Sequence, residues 1–383
     1  MAKLDKVADD AKTKSARKAC LLIFLVCGIG LSSWAPMVPV AKINLGLDDA
    51  RLGLVLLALG AGAILMMPFS GMFINKYGSR KVMLIAATVI SIMLPLLLLT
   101  TSPLQLAAAL FIFGAAIGSI DVSMNAHAVL VQERFGRHIM SSFHGMFSVG
   151  GLIGAIGLGF LMKFGLSPTV AAVSISAALF LIAASQYKNL FPHAEEDSVE
   201  SFTFALPRGP VLILGLMCFT FFMAEGALLD WSAVFLQFNR NFEPSMAGLG
   251  FASFSVAMAV MRLTGDKIIH KIGTSRVVLY GGLLASAGFL IAVIIPWPGA
   301  ALFGFVLVGL GAANVVPIFF TAAGNIPNVP TSISLSAVTT LGYAGQLAGP
   351  ALIGFIAETT SLPVGLAFVG VLLSIVALSF KSK

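Results

Sequence analysis

Charge is scarce in this chain. Of its 383 residues only 10% are Asp, Glu, Lys or Arg, while 58% are hydrophobic, a balance outside the range of soluble globular domains. Cysteine is scarce as well. Cys20, Cys27 and Cys218 all fall within apolar runs, which excludes a disulfide framework and any cysteine-based metal spacing. Also missing are a nucleophile and base constellation, a glycine loop shaped for phosphate, and a cluster at metal-ligand spacing. Neither an enzyme nor a bound cofactor or metal is expected.

What is present is apolar sequence in long runs. At about 20 residues per crossing, the length admits about twelve membrane-spanning helices, so the fold class is an all-α membrane protein. Spans are expected near 19–40, 51–74, 81–100, 104–131, 139–162 and 167–187, then near 210–236, 245–269, 276–296, 299–323, 333–357 and 362–380. Acidic residues and prolines interrupt the apolar pattern between the two sets, which reads as a hydrophilic linker. The expected organisation is a polar segment 1–18, a six-helix bundle 19–188, a linker 189–208 and a second bundle 209–383. The first segment is not a cleavable signal. Its basic residues lead directly into a span holding Trp34, Pro36 and Pro39, with no small-residue cleavage site.

The few cations are distributed unevenly. Both termini and the even-numbered loops hold Lys3, Lys6, Lys12, Lys14, Arg17, Lys18, Lys76, Arg80, Lys81, Arg134, Arg137, Lys188, Arg208, Lys267, Lys271, Arg276, Lys381 and Lys383. The odd-numbered loops hold only Lys42, Arg51, Lys163 and Arg240. By the positive-inside rule both termini and the linker face the cytoplasm. The net charge of +7 therefore concerns topology and anionic lipid, and no nucleic-acid partner is implied.

An internal repeat runs at a constant offset of 195 residues. Gly71, Asn75, Lys76 and Gly78 after the second span are echoed by Asp266, His270, Lys271 and Gly273 after the eighth. In the same register Gly53 meets Gly248, Gly114 meets Gly309, Gly150 meets Gly345, Gly154 meets Gly349, Gly159 meets Gly354 and Pro168 meets Pro363. Two bundles of like topology, related by an axis along the membrane normal, are expected.

Polar residues inside spans are the candidates for chemistry. Asp121 and Asn125 lie four residues apart in the fourth span, on a face that cannot look at lipid, because a carboxyl near the bilayer centre costs about 3 kcal/mol or more. Asp121 is read as a proton or substrate site in preference to a packing residue. Helix rise puts Asn125 and His144 at similar depth. His144 either shares a proton route with Asp121 or is simply hydrogen-bonded between helices. In the seventh span Glu225 is deep enough to favour a cavity role, whereas Asp230 lies nearer the interface. Trp34 and Trp231 either anchor at the interface or stack on a ring of the solute. Asn314, Tyr343 and Gln346 are neutral groups expected to face inward and to bind hydroxyl or amide groups. Gly145, Gly150, Gly151, Gly154 and Gly157 speak for close helix contact.

These residues carry a resemblance. The chain is similar over essentially its whole length to the major facilitator superfamily, whose loop signature is glycine, three residues, Asp-Arg, one residue, Gly-Arg-Lys. Gly71, Asn75-Lys76, Gly78 and Arg80-Lys81 match it. Asn75 stands where the family has aspartate and Lys76 where it has arginine, so the resemblance implies a weakened gating lock. Arg262 and Asp266, four apart, are expected to supply a replacement. The closer likeness is to proton-coupled symporters of the fucose permease type, through Asp121-Val-Ser-Met-Asn125, and to inner-membrane proteins of the YbjJ type, through the runs beginning at Phe143, Ala224 and Gly342. The span around Trp34 lacks the second carboxylate of the fucose permease type, and the fourth span lacks the arginine motif of many drug antiporters.

The resemblance implies a monomeric, multi-pass transporter of the bacterial inner membrane, working by alternating access of its two halves around a midplane site. Asp121 would take a proton from the periplasm and release it to the cytoplasm, accompanied by a small polar solute, sugar-like or a related metabolite. A proton-linked exporter of metabolites or drugs is the alternative. It is disfavoured by the lack of proline between Gly145 and Phe164. A lipid flippase or a non-transporting sensor is a further rival.

Overall fold

The structure is a computed structural model. It describes the backbone of residues 2–136, 139–195, 208–327, 329 and 331–380, with the side chains of all of these except 2–10, 141, 195, 266, 331–333, 335 and 336. Residues 196–207 of the expected linker lie outside the described residues, as does the side chain of Asp266. The described residues are helical apart from short connections. The helices are α1 (Ala2–Ser32), α2 (Val38–Leu45), α3 (Asp49–Tyr77), α4 (Ser79–Leu99), α5 (Pro103–Phe135), α6 (Met140–Lys163), α7 (Pro168–Gln186), α8 (Pro210–Asn239), α9 (Leu249–Ile272), α10 (Thr274–Ile294), α11 (Pro298–Ala312), α12 (Val315–Gly324), α13 (Thr331–Thr359) and α14 (Leu362–Ser379). Together they supply twelve segments long and apolar enough to cross a membrane.

Local chemistry sets the helix limits. Proline opens α5, α7, α8 and α11, where its missing N–H has no intrahelical partner to lose. Asp48 and Ser102 cap α3 and α5 by accepting the backbone N–H of Arg51 at 2.7 Å and of Gln105 at 3.3 Å. Two expected spans are broken. The first is interrupted at Ala35–Met37 by a 3₁₀ turn around Pro36, so that α1 and α2 together form the crossing. The tenth breaks at Ala313 and Asn314, just before Pro317, whose ring denies the helix a hydrogen bond. Pro68 and Pro350 instead sit inside continuous helices. The polar segment 1–18 is not separate either, since α1 begins at Ala2 and runs into the first crossing.

The repeat is visible in the packing. In the first half α1 packs on α6, α3 and α4 on α5, and α4 on α7. The second half repeats this with α8 on α13, α9 and α10 on α11, and α10 on α14. Gly114 on α5 lies against the Leu59 carbonyl of α3, and Gly309 on α11 against the Phe254 carbonyl of α9, each pair being the other displaced by 195. Even the turns agree. Gly78 and Gly273 adopt φ/ψ of 83°/149° and 85°/155°, a region open to glycine and strained for other residues. Between the halves α3 packs on α13 and α6 on α9, which are again equivalent by the repeat.

Both chain ends and the ends of the even-numbered crossings share one side, here termed the terminal face; the other is the distal face. On the terminal face the chain leaving α7 is clamped to the first half. Phe191 is fully buried, its N–H donates to His127 Nε2 at 3.3 Å, and Ser79 Oγ bonds His127 Nδ1 at 2.7 Å. Arg134 and Lys12 stack on its ring at 4.5 and 5.8 Å.

Where glycine meets a neighbouring carbonyl, a methyl group has no room. Gly114→Val and Gly309→Val are expected to lower stability by about 1–3 kcal/mol each, the usual penalty of overpacking. Gly71→Val, at a position where a Cβ meets nothing within 4 Å, serves as control. Thermal unfolding in detergent reads the difference, and equal effects at all three positions would contradict this packing account.

Candidate functional site

The distal face is sealed. A Cβ on Gly53 of α3 would meet the Pro350 carbonyl of α13, and one on Gly248, which precedes α9, the Ala155 carbonyl of α6. Gly354 likewise meets the Asp49 carbonyl, and Gly159 that of Ser245. The first two contacts are equivalent by the repeat and the other two nearly so, Ser245 lying one residue beyond the counterpart of Asp49; all four bring backbone against backbone, which only glycine permits at such range. Beneath this seal Trp34 and Trp231 are 0% exposed. Polar groups rim it: the Asp49 N–H donates to the Glu358 carboxylate at 3.1 Å, Lys42 pairs with Asp49, and Lys42 lies 5.5 Å from the Phe238 ring centroid.

Towards the terminal face the mid-membrane polar groups reach solvent. Arg262 is 37% exposed and Glu225 25%, while His144 is exposed and Asp121, Asn125, Tyr343 and Gln346 are half-buried. Counting from the terminal-face ends of their helices at 1.5 Å per residue, Arg262, Tyr343, Asp121 and Glu225 lie roughly 15–22 Å deep. Exposure at that depth, beneath a closed distal face, describes a cavity between the halves that opens at the terminal face.

Asp121 lies where the two halves meet. Asn125 donates its amide to the Asp121 carboxylate at 3.2 Å and to the Asp121 backbone carbonyl at 2.9 Å. From the other half Tyr343 donates its hydroxyl to Asp121 Oδ2 at 3.5 Å, and its ring packs on Phe222 with centroids 5.4 Å apart. Both donors are neutral, so among the described residues the charged carboxylate has hydrogen bonds here but no paired cation. Glu225 on α8 instead faces a cation, Arg262 of α9, at 3.5 Å. Gln346 packs over Gly226, one residue along from Glu225.

Several expected placements differ. Arg262 faces Glu225 across helices, while the side chain of Asp266, its expected partner on the same helix, lies outside the described residues. His144 does not meet Asn125, whose amide is turned to Asp121; its ring meets Phe24 edge-on at 5.4 Å. Asn314 is 6% exposed and donates to the Met261 carbonyl at 3.3 Å, bracing the break between α11 and α12 against α9 and not facing the cavity. Trp34 and Trp231, being fully enclosed, act neither at an interface nor on a cavity wall in this state. In the loop signature Asn75 and Lys76 are exposed, Lys76 lies 5.1 Å from the Tyr77 ring, and Arg80 stacks on Tyr187 at 4.9 Å. The Lys76 and Arg80 contacts stay within the first half.

Sequence reasoning missed the Arg262 and Glu225 pair and the glycine seal. Signals existed for both. Glu225 was already singled out for depth, and Gly53, Gly159, Gly248 and Gly354 were among the glycines that fixed the repeat register.

In a background with Cys20, Cys27 and Cys218 replaced by alanine, His144→Cys is expected to react with a water-soluble maleimide and Met37→Cys to stay protected. Adding Gly248→Leu wedges the seal and should raise labelling of Met37→Cys several-fold. Unchanged protection would move the closure elsewhere.

The family model for the Major Facilitator Superfamily matches residues 20–334. An uncharacterized MFS-type transporter of Yersinia pestis is 47% identical over 361 residues, 94% of this chain and 94% of the relative. Membrane protein MosC of Rhizobium meliloti is 33% identical over 351 residues, 90% and 84% of the two chains. Among solved structures, a mutant form of the nucleoside transporter NupG superposes with a TM-score of 0.76 at 16% identity, covering 95% of this chain and 100% of that one.

Proposed function

The chain belongs to the major facilitator superfamily, a family of transporters and not of enzymes, and from that premise we propose that it carries a small polar solute together with protons by alternating access. The solute is sugar-like or a related metabolite, and the direction is symport. In this reading the protein acts as a monomer in the bacterial inner membrane, divided at its linker into halves 19–188 and 209–383, with both termini and the terminal face in the cytoplasm. The cation asymmetry supports that orientation. The state described above is then the inward-open one.

The observation that carries the proposal is the contact of Asp121 with Tyr343, a carboxyl group of one half held by a hydroxyl of the other at the base of a cavity open on one side. A group so placed senses the relative position of the halves. With a proton it is neutral and can pass a closed, dry intermediate; without one it stands as a charge held by the dipoles of Asn125 and Tyr343, and passage is opposed. Asn125, Tyr343 and Gln346 would hold the hydroxyl or amide groups of the solute, and His144 and Glu225 lie on the aqueous route by which the proton leaves. Trp34 and Trp231 would reach solute only when the distal seal opens. Asn75, Lys76 and Arg80 would close the cytoplasmic side in the opposite state.

The test begins with a thermal-shift screen of purified protein against sugars, sugar alcohols, sugar acids and nucleosides, since a bound solute stabilises the native state. With the solute found, Asp121→Asn in reconstituted vesicles should retain solute exchange while losing accumulation driven by a pH gradient. Asparagine keeps the shape and hydrogen bonding of the neutral acid but never ionises. Full pH-driven uptake by this variant would shift the coupling role to Glu225 or His144.

A further inference from the structure

Arg240 and Arg262 both lie at helix contacts, and they are held differently. Arg240, at the distal end of α8, is 8% exposed and donates to three carbonyl oxygens, those of Asn239 at 2.9 Å, Ala292 at 2.6 Å and Val293 at 2.9 Å, with the Phe235 ring 4.5 Å away. That is how an arginine is held when its work is structural: most donors are occupied and water is excluded. Arg262 is otherwise. Among the described residues its ion-pair contact is to a single Glu225 oxygen at 3.5 Å, against about 2.7–2.9 Å for a well-formed charge-assisted bond. More than a third of the side chain faces the cavity.

Its position is also singular. The chain has 23 Lys and Arg; all others lie in the terminal segments, in loops or within five residues of a helix end. Lys12, Lys14, Arg17 and Lys18 lie in the polar first part of α1, and within the apolar spans Arg262 alone sits about ten residues, or roughly 15 Å, inside its helix. A guanidinium placed there faces a large desolvation penalty unless it has a function. Its five N–H donors form a planar fork suited to two oxygens of one acid group.

We propose that Arg262 anchors an anionic solute, the carboxylate of a hydroxylated acid of sugar size, which displaces Glu225 from the guanidinium as Glu225 takes up a proton. The inference rests on the carrier reading above and names the solute class for the same cavity. Charge balance motivates the exchange. Before binding, Arg262 and Glu225 neutralise one another; afterwards Arg262 and the solute carboxylate do so, and Glu225 has become neutral by binding one proton from water. Neither Arg262 nor Glu225 is left with an unpaired charge at either stage, as a low-dielectric cavity requires. Groups able to bind solute hydroxyls lie close by: Gln346 packs beside Glu225, and Tyr343 interacts electrostatically with both Glu225 and Asp121. The described titratable groups linked electrostatically to Glu225, directly or through one neighbour, are Arg262 on α9, His144 on α6, Tyr343 on α13, Asp121 on α5 and Cys27 on α1, while Cys218 and Asp230 share α8 with it. None but Arg262 is a permanent cation.

The experiment uses the full chain purified in detergent and matched probes: D-glucuronate against D-glucose, D-gluconate against D-sorbitol, and D-glucosamine as the cationic arm, each by thermal shift and calorimetry at pH 5.5 and 7.5. At least one acid should bind tenfold or more tightly than its uncharged partner, and more tightly at pH 5.5. Arg262→Gln should weaken that acid at least tenfold, with Arg262→Lys intermediate because the charge remains and the fork is lost. Glu225→Gln should tighten acid binding at pH 7.5 several-fold by freeing the guanidinium, an effect that loss of a merely structural pair would not produce. The proposal is overturned if no acid stabilises the protein, if glucose, sorbitol or glucosamine binds as well as the acids, or if Arg262→Gln leaves acid binding intact. Acid binding of the expected pattern without solute exchange in vesicles would support the anchor and remove the carrier reading. Uptake of a neutral sugar driven by a pH gradient and indifferent to Arg262→Gln would overturn the anchor and leave the carrier reading standing.

Discussion

Hydrocarbon offers no partner to a charge or to an open backbone group, and the arrangement of this protein follows from that constraint. Helices satisfy their own backbones, cations lie near the helix ends, and the few ionisable side chains left inside must find both partners and water between the two halves. Asp121, Glu225 and Arg262 do so in one cavity. The chain thus separates its surfaces by chemistry: apolar faces outward to lipid, small residues where helices touch, and the deep charged residues Asp121, Glu225 and Arg262 where the halves part.

Duplication gives this arrangement its economy of means. One kind of contact, glycine against a carbonyl one helix away, recurs inside each half and again between them. Because the interhalf contacts of α3 with α13 and of α6 with α9 are equivalent under the repeat, the halves meet along two like seams flanking the cavity. Motion that loosens one seam loosens the other by a similar amount. The site residues, by contrast, do not obey the repeat. Asp121 has no acidic counterpart at position 316, which is valine, and Glu225 none at position 30, which is glycine. Scaffold symmetry and site asymmetry are what a carrier needs if two similar halves are to hold one unsymmetrical solute.

Much of the fold was legible because hydropathy and cation placement report directly on the bilayer. All twelve crossings, the pairing of the halves and the even count of spans could be read from runs of apolar residues and a constant offset. The breaks in the first and tenth crossings were harder, since Pro36 and Pro317 interrupt their helices while Pro68 and Pro350 do not, and a proline's effect depends on what neighbours supply in place of the lost bond. At the site, depth along a helix was readable but azimuth was not. Hence Asp121, Asn125 and Glu225 could be assigned to the cavity, whereas Asn314 at similar depth points into a helix contact, and Glu225 as a neighbour of Arg262 across a gap could not be found from spacing on one helix. Side-chain pairing between helices distant in sequence has no local signal.

The distal seal has a kinetic consequence. Its core is backbone against backbone through Gly53, Gly159, Gly248 and Gly354, and dispersion between such surfaces fades by a quarter to a half over the first 0.5–1 Å of separation. A contact of so short a range does not stretch gradually. It behaves as a latch and not as a spring, holding nearly full strength until a small displacement releases it, so that partly open forms have little to stabilise them and short lifetimes. The two seams therefore favour an abrupt passage between end states, during which a leak of ions through a half-open pore would have little time to occur.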